Sequence, residues 1–100
     1  MIEDTLRSSI EARIKSLLVS ELNVNAKTIA ASSLTTSLLG QGIGLDSVEI
    51  LGLVVFLEQE FKISVPDSDL TVDLFKNIGT LADYVMKTIS EGWNRSQSGV

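Results

Sequence analysis

The sequence predicts an all-α fold: a four-helix bundle with three longer helices, one short helix and a long first loop. Three stretches place apolar residues three and four positions apart, which is the spacing of a helix that buries one face. Strand-like alternation is confined to Ile63 and Val65, a run too short to pair. At 100 residues, the chain suits one domain with one modest core. We assign this domain to residues 1–91 and a polar C-terminal tail to residues 92–100.

The first helix is predicted from residue 3 to residue 21. Its apolar stripe consists of Leu6, Ile10, Ile14, Leu17, Leu18 and Leu22. The run Asn23-Val24-Asn25 is expected to end the helix, because asparagine tolerates the left-handed conformation that follows many helices.

Residues 23–46 form a long connection with few charges. Thr28 to Ala31 are expected to make a helical turn. The apolar side chains of this connection that could pack against the end of the bundle are Leu34, Leu38 and Leu39. Three glycines within residues 40–44 indicate irregular backbone. A loop of this length in a small domain is usually functional or disordered, and we favour a functional loop because it leads directly to Asp46 and Ser47.

The second long helix is predicted from residue 47 to residue 61. Its core stripe consists of Ile50, Leu53, Val54, Leu57 and Phe61. Asp46 and Ser47 stand at its start, and both residue types accept hydrogen bonds from the free N–H groups of a first helical turn. Taken alone, the pair indicates helix capping.

A second apolar stripe lies on the other side of this helix. It contains Val48, Leu51 and Val55, together with Gly52 and Gln59. The carboxylates at or beyond its edges are Glu49, Glu58 and Glu60. The pattern leaves two interpretations open: either the helix is buried on both sides, or this stripe is an exposed docking surface rimmed by carboxylates.

Residues 62–70 follow this helix. Pro66 is expected to hold Val65 in an extended conformation, and Asp67 can begin a short helix. The negative charges of Asp67 and Asp69 would be stabilised by the positive end of that helix's dipole. Their surroundings lack the ligand loop of a calcium site, so a helix start is the favoured interpretation. Further core residues are expected at Val72, Leu74, Phe75 and Ile78.

The last helix is predicted to begin near Thr80, because Thr80 and Asp83 have the spacing of a capping box. Its core face is expected to contain Leu81, Val85 and Ile89, with Ala82, Tyr84 and Met86 beside them. Gly92 is expected to end the helix. Trp93 is expected to pack back onto the bundle rather than to bind a ligand.

Charge and residue types exclude several classes of function. The formal net charge of −5 argues against nucleic acid and anionic membranes as partners and favours basic protein surfaces. The sequence contains no cysteine and no histidine, which excludes Ser-His-Asp and Cys-His sites and soft metal sites. The start lacks the features of a signal peptide, and the longest apolar stretch, Ile50 to Leu57, is too short to span a bilayer. We therefore expect a cytoplasmic monomer that is not an enzyme.

The hydroxyl of Ser47 is the candidate reactive group. No base lies near it in the sequence, so another protein would have to activate it. A phosphorylated adduct would be favoured at this position, because a phosphate at a helix N-terminus meets unpaired N–H groups and the positive end of the helix dipole.

Three stretches together resemble the acyl carrier proteins, the phosphopantetheine-binding family. They are Gly44-Leu45-Asp46-Ser47-Val48-Glu49, Leu57-Glu58-Gln59-Glu60-Phe61-Lys62-Ile63-Ser64-Val65-Pro66-Asp67 and Thr80-Leu81-Ala82-Asp83-Tyr84-Val85. Asp-Ser alone is uninformative, whereas Asp-Ser followed by Leu-Glu-x-x-Phe and then x-Ile-x-Val-Pro-Asp is specific. The resemblance implies a four-helix bundle of acyl-carrier type.

The resemblance also implies that Ser47 carries 4′-phosphopantetheine through a phosphodiester, installed from coenzyme A by a Mg²⁺-dependent phosphopantetheinyl transferase. Asp46 would help to hold the Mg²⁺ during transfer. The thiol of the arm would then carry acyl or aminoacyl groups as thioesters between enzymes. Its partners would be the transferase and acyl-loading, condensing or acyl-transfer enzymes with basic docking patches. The expected docking residues, all on the second long helix, are Val48, Glu49, Leu51, Val55, Glu58 and Gln59.

The sequence departs from the usual family pattern in three places. The stretch before Ser47 is longer than the usual Asp-Leu-Gly-x-Asp-Ser and lacks its first acid, and Gly52 stands where an acid is common. Residues 70–75 are also longer than in housekeeping fatty-acid carriers. The implied role is that of a carrier in a fatty-acid, polyketide or specialised lipid pathway. These departures favour a stand-alone carrier of a specialised acyl, polyketide or aminoacyl pathway over ordinary fatty-acid synthesis. The alternative hypothesis is a non-covalent acidic helical adaptor in which Ser47 only caps its helix.

Overall fold

The architecture consists of four α-helices and one 3₁₀ turn in the part of the chain that the structure describes. The structure is a computed structural model that describes the backbone of residues 2–40 and 42–98 and the side chains of residues 5–40 and 42–90. The helices are α1 (Ile2–Ser20), α2 (Ala26–Ala31), α3 (Ser47–Phe61) and α4 (Ile78–Ser98), and the 3₁₀ turn is Asp67–Asp69. Strand pairing within these residues is limited to two isolated bridges. The predicted all-α bundle is confirmed.

One hydrophobic core is shared by the three long helices. α1 packs mainly against α4 and also contacts α3. The buried side chains that the helices contribute are Ile10, Ile14, Leu18, Ile29, Leu53, Val54, Leu57, Ile78, Leu81, Ala82 and Val85. The connections add Leu38, Leu45, Leu74 and Phe75. The predicted core stripes of α1 and α3 are therefore confirmed in outline, although Leu6 at the start of the α1 stripe is exposed.

The boundaries of α1 and α2 follow from asparagine residues. Asn23, just after α1, has a φ of 59°, which is the left-handed conformation predicted for this position. Asn25 caps α2, because its side-chain oxygen accepts a hydrogen bond from the Lys27 N–H at 2.8 Å. The helical turn predicted to begin at Thr28 therefore begins two residues earlier, at Ala26.

Two ion pairs connect α1 to the other long helices. The guanidinium group of Arg7 pairs with Asp83 of α4, and that of Arg13 pairs with Glu60 of α3. Arg7 also donates to Glu11 one turn further along α1, at 3.0 Å. Partly exposed pairs of this kind add little stability, so the packed side chains of the core hold the helices together.

The first loop is an ordered framework in front of α3. The Ile43 N–H donates to the Ser37 carbonyl at 2.7 Å, and the Leu45 N–H donates to the Leu38 carbonyl at 2.8 Å. Gly42 lies so close to Ser37 that a Cβ at that position would overlap the Ser37 carbonyl. The Leu38 N–H in turn donates to the Lys76 carbonyl at 3.3 Å. The loop is thus bonded to itself and to the segment that precedes α4.

The predicted start of α4 is wrong. The helix begins at Ile78, and the Asn77 side-chain oxygen accepts a hydrogen bond from the Thr80 N–H at 2.7 Å. Thr80 therefore lies inside the first turn, and Asp83 pairs with Arg7 instead of completing a capping box. The earlier start places the fully buried Ile78 on the same face as the rest of the α4 core stripe.

Two further expectations are corrected by the structure. Val72 was expected in the core, but it is 75% exposed, because the short turns of this segment direct Leu74 and Phe75 inward instead. Gly92 does not end α4, which continues to Ser98. The Trp93 side chain, and with it the expected packing of Trp93, lies outside the described residues. None of the helices in the described residues combines the length and apolar character that crossing a membrane requires.

Candidate functional site

The site is built around the first residue of α3. The loop backbone positions Ser47, since Gly44 has a φ of 90° and Leu45 is buried and hydrogen-bonded to Leu38. Leu45 also forms a parallel bridge with Leu39. Buried contacts before the helix and the helix itself therefore fix the backbone on both sides of Ser47.

Asp46 is the residue that caps α3. Its backbone is extended (φ −97°, ψ 179°), and its carboxylate oxygen Oδ1 accepts a hydrogen bond from the Glu49 N–H at 2.8 Å. The Glu49 carboxylate in turn accepts from the Asp46 N–H at 3.0 Å, which completes a capping box. The capping role of Asp46 was predicted, whereas the reciprocal bond to Glu49 was not, although the Asp-x-x-Glu spacing is present in the sequence.

Ser47 does not cap the helix. Its hydroxyl is exposed and makes no hydrogen bond within the described residues. The prediction that both Asp46 and Ser47 act as caps is therefore right for Asp46 and wrong for Ser47. The physical reason is position: Ser47 is already the first helical residue, whereas a capping side chain must come from the extended residue before it. The hydroxyl is left available to react.

The start of α3 offers a favourable place for an anion. The capping box satisfies the Glu49 N–H, and the Asp46 carbonyl accepts from the Ile50 N–H at 2.9 Å. The N–H groups of Ser47 and Val48 have no acceptor within the described residues. These two donors and the positive end of the helix dipole would stabilise a phosphate attached to Ser47.

A cleft of about 360 Å³ adjoins Ser47, between α3 and residues 70–75. Its lining residues are Leu39, Ser47, Ile50, Leu51, Val54, Leu70, Thr71, Val72 and Phe75. Apart from Ser47 and Thr71 the lining is apolar, so the cleft suits an apolar ligand attached near Ser47. No sequence pattern predicts this cleft, because contacts between distant segments have no signal in a local pattern.

The second stripe of α3 is exposed. Val48 is 77% exposed, Leu51 59% and Val55 47%. Gln59, at the other end of the stripe, is exposed too. Of the two interpretations that the sequence left open, burial on both sides is therefore excluded. An apolar stripe left in contact with water is typical of a surface that binds another protein.

The carboxylates near this stripe are engaged within the chain. The Glu58 carboxylate accepts a hydrogen bond from the Val65 N–H at 2.9 Å, which holds the extended residues after α3. Glu49 belongs to the capping box, and Glu60 pairs with Arg13. Glu49 and Glu58 were both expected to contact partners, and the structure gives each of them an internal role.

Potential metal ligands are not grouped in the described part of the chain. Among the described residues, no three carboxylate side chains lie close enough together to hold a metal. Asp67 and Asp69 form the predicted short helix, a 3₁₀ turn, and Asp69 accepts a hydrogen bond from the Tyr84 hydroxyl at 2.7 Å. That bond joins the turn to α4.

Known proteins of similar sequence include acyl carrier proteins. The sequence model of the family described as "Phosphopantetheine attachment site" matches residues 12–85, which include α3 and most of the core. An acyl carrier protein of Porphyromonas gingivalis is 28% identical over 82 residues, which cover 82% of this chain and 97% of that protein. An acyl carrier protein of Clostridium perfringens is 29% identical over 73 residues, which cover 73% of this chain and 88% of that protein.

A helical bundle that presents an exposed serine hydroxyl at a helix start, beside an apolar cleft, is compatible with a carrier protein, and the proteins of similar sequence are carriers rather than catalysts. The family match extends over most of the chain, and the chain belongs to the phosphopantetheine-binding acyl carrier family. Its cofactor is 4′-phosphopantetheine, and its role is to carry cargo for enzymes.

Proposed function

We propose that Ser47 is the residue that carries 4′-phosphopantetheine. The observation that supports this assignment is the state of its hydroxyl, which is exposed at the start of α3 and makes no hydrogen bond within the described residues. The unpartnered N–H groups of Ser47 and Val48 suit the phosphate that would be attached there. Ser47 also lies within the stretch matched by the family model.

Attachment of the arm is a phosphoryl transfer from coenzyme A. The Ser47 Oγ forms a bond to the phosphorus next to the pantetheine, and the bond from that phosphorus to adenosine 3′,5′-bisphosphate breaks. The hydroxyl proton is proposed to pass to a base supplied by the transferase. The Asp46 oxygen that does not cap α3 is proposed to help bind the Mg²⁺ of the transferase.

We propose an acyl cargo rather than a charged aminoacyl cargo. When bound, the arm supplies a thiol that holds acyl groups as thioesters. The cleft beside Ser47 is lined by Ile50, Val54 and Phe75, and such walls favour a hydrocarbon chain over a charged amine. Together with the longer segments before Ser47 and at residues 70–75, the cleft supports a carrier of a specialised acyl or polyketide pathway.

The proposed partners are the phosphopantetheinyl transferase and the enzymes that load, condense or transfer the acyl group. They are proposed to dock on the exposed stripe of α3, which begins one residue after Ser47. The net charge of −5 would attract partners with basic surfaces and speed their association.

The assignment of Ser47 is tested by intact mass spectrometry. The unmodified protein is incubated with coenzyme A, Mg²⁺ and a broad-specificity phosphopantetheinyl transferase, and a gain of one phosphopantetheine arm is expected. Ser47→Ala should show no gain, whereas Ser64→Ala, at another exposed serine, should be modified like the wild type. A wild-type protein that stays unmodified under these conditions would overturn the proposal.

A further inference from the structure

Residues 68–74 separate two concave regions of the surface. On the side of α3 is the apolar cleft beside Ser47, and on the side of α4 is a depression of about 290 Å³. The residues of this segment that line the depression, all but one of them polar, are Ser68, Asp69, Thr71, Asp73 and Leu74. Leu70 and Val72 line the cleft instead. Residues 68–74 therefore form a thin partition with space on both sides.

The partition is fixed at both of its ends. Before it, the Val65 N–H donates to the Glu58 carboxylate at 2.9 Å. After it, Phe75 is buried and the Lys76 carbonyl accepts from the N–H of the first loop's Leu38. The backbone hydrogen bonds that residues 68–74 make are local and stay within residues 66–76. These bonds shape the partition but do not attach its middle to a helix.

A side-chain hydrogen bond attaches the middle of the partition to α4. The Tyr84 hydroxyl donates to the Asp69 oxygen Oδ2 at 2.7 Å, and a charged acceptor makes such a bond stronger than one between neutral groups. Within the described residues, no other hydrogen bond or ion pair joins residues 68–74 to a helix. The position of the partition between α3 and α4 therefore depends on this bond.

Hydrophobic burial favours movement of the partition in the opposite direction. Leu51 on α3 and Val72 on the partition both line the cleft, and they are 59% and 75% exposed. Movement of the partition toward α3 would bring these side chains together and remove apolar surface from water, which is favourable. The depression would grow, but its hydroxyls and carboxylates would keep their contact with water. An empty cleft is therefore expected to close unless the partition is held back.

We propose that Tyr84 and Asp69 form a tether that holds the cleft open. Neither residue lines the cleft, so both are positioning residues that act through the partition. Their hydrogen bond keeps the partition on the side of α4, and the apolar walls stay apart until a hydrocarbon chain fills the space between them. This inference rests on the proposed acyl cargo, and it adds the residues that keep the cleft ready to receive that cargo.

The test is equilibrium binding of N-phenyl-1-naphthylamine, a small uncharged apolar fluorophore, to the unmodified full chain. Tyr84→Phe and Asp69→Ala should each raise the Kd of the fluorophore about two- to ten-fold. The reason is that the open state loses the stabilisation of one hydrogen bond, and the apparent affinity falls with the population of that state. Asp69→Asn keeps an oxygen that can accept from the Tyr84 hydroxyl, so its Kd should stay close to that of the wild type.

Two control variants show where the fluorophore binds and whether charge alone matters. Asp73→Ala removes a carboxylate that lines the same depression but makes no hydrogen bond or ion pair within the described residues, so the Kd should not change. Leu51→Asp places a charge on the wall of the cleft and should abolish most of the binding. Thermal unfolding of each variant verifies that the fold is intact.

The direction of the change separates a tether from a bond that only stabilises the fold. Loss of a purely structural bond loosens the chain and leaves fluorophore binding unchanged or stronger, and that result for Tyr84→Phe and Asp69→Ala would overturn the proposal. The proposal also fails if the wild type does not bind the fluorophore, or binds it no better than Leu51→Asp does. None of these results bears on the assignment of Ser47, because the unmodified chain is used. If the tether variants weaken binding but Ser47 is not modified in the mass spectrometry experiment, the tether stands and the proposed function fails.

Discussion

The two sides of α3 carry similar residues but have opposite surroundings. Leu53 and Leu57 are buried in the core, whereas Leu51 and Val55 on the other side remain in contact with water. Hydrophobicity alone therefore does not reveal which side of a helix is buried. The deciding factor is the number of neighbouring segments: α1 and the connections cover one side, and among the described residues no segment covers the other.

The largest effect is expected on the buried side. Leu57→Ala should lower the free energy of unfolding by about 2–5 kcal/mol, because it removes a side chain that is 1% exposed and leaves a cavity. Urea unfolding followed by circular dichroism measures the change. Leu57→Met, which keeps the volume, should cost less than about 1.5 kcal/mol. Equal small losses in both variants would show that this side was not the core.

A moderate effect on stability is expected at the N-terminal end of α3, where Asp46 caps the helix. Asp46→Ala removes the cap and should lower the free energy of unfolding by about 1 kcal/mol. Asp46→Asn keeps a capping oxygen and should retain most of that stability. The same urea experiment compares the two variants, and a loss as large in Asp46→Asn as in Asp46→Ala would exclude capping as the cause.

Little effect on stability is expected on the exposed side. Leu51→Asp should change the free energy of unfolding by no more than about 0.5 kcal/mol, because Leu51 is already 59% exposed. The same variant should raise the KM of the transferase for the chain, since a charge then faces the partner's apolar patch. Unfolding by Leu51→Asp, comparable to that of Leu57→Ala, would mean that this side is buried.

The smallest effect on stability is expected at Ser47. Ser47→Ala removes a hydroxyl without hydrogen bonds in the described chain, so the free energy of unfolding should stay within about 0.5 kcal/mol of the wild type. A urea titration run beside that of Asp46→Ala provides the comparison. If Ser47→Ala is as destabilising as Asp46→Ala, the adaptor hypothesis, in which Ser47 serves as a cap, regains support.

Local sequence patterns were sufficient for most of the helices. The α3 prediction of residues 47–61 matches the structure, because its apolar period is long and its start is marked by Asp46. The α4 start was misplaced because Asn77 and Thr80 are both capping types, and only the burial of Ile78 decides between them. Gly92 was a weak stop signal, since a glycine inside a helix costs only about 1 kcal/mol relative to alanine.

The site was less predictable than the helices. Ser47 could be singled out from its motif, but the cleft depends on residues 70–75 lying opposite α3, and no periodicity encodes that contact. Val72 shows the same limit: its residue type predicts burial, whereas the turns between Thr71 and Lys76 expose it. The free hydroxyl of Ser47 also became evident only when the cap proved to be Asp46.

The bridge between Leu39 and Leu45 closes residues 40–44 into a small side loop. Chain added within such a loop bulges into solvent, while the two residues that close it stay in place. The extra length ahead of Asp46 and Ser47 is therefore accommodated in this loop without moving Ser47. A Cβ at Gly40 would meet no atom within 4 Å, whereas a Cβ at Gly42 would overlap the Ser37 carbonyl. A short peptide tag inserted next to Gly40 should consequently not displace Ser47. The loop of residues 40–44 is therefore a suitable position for labelling the protein.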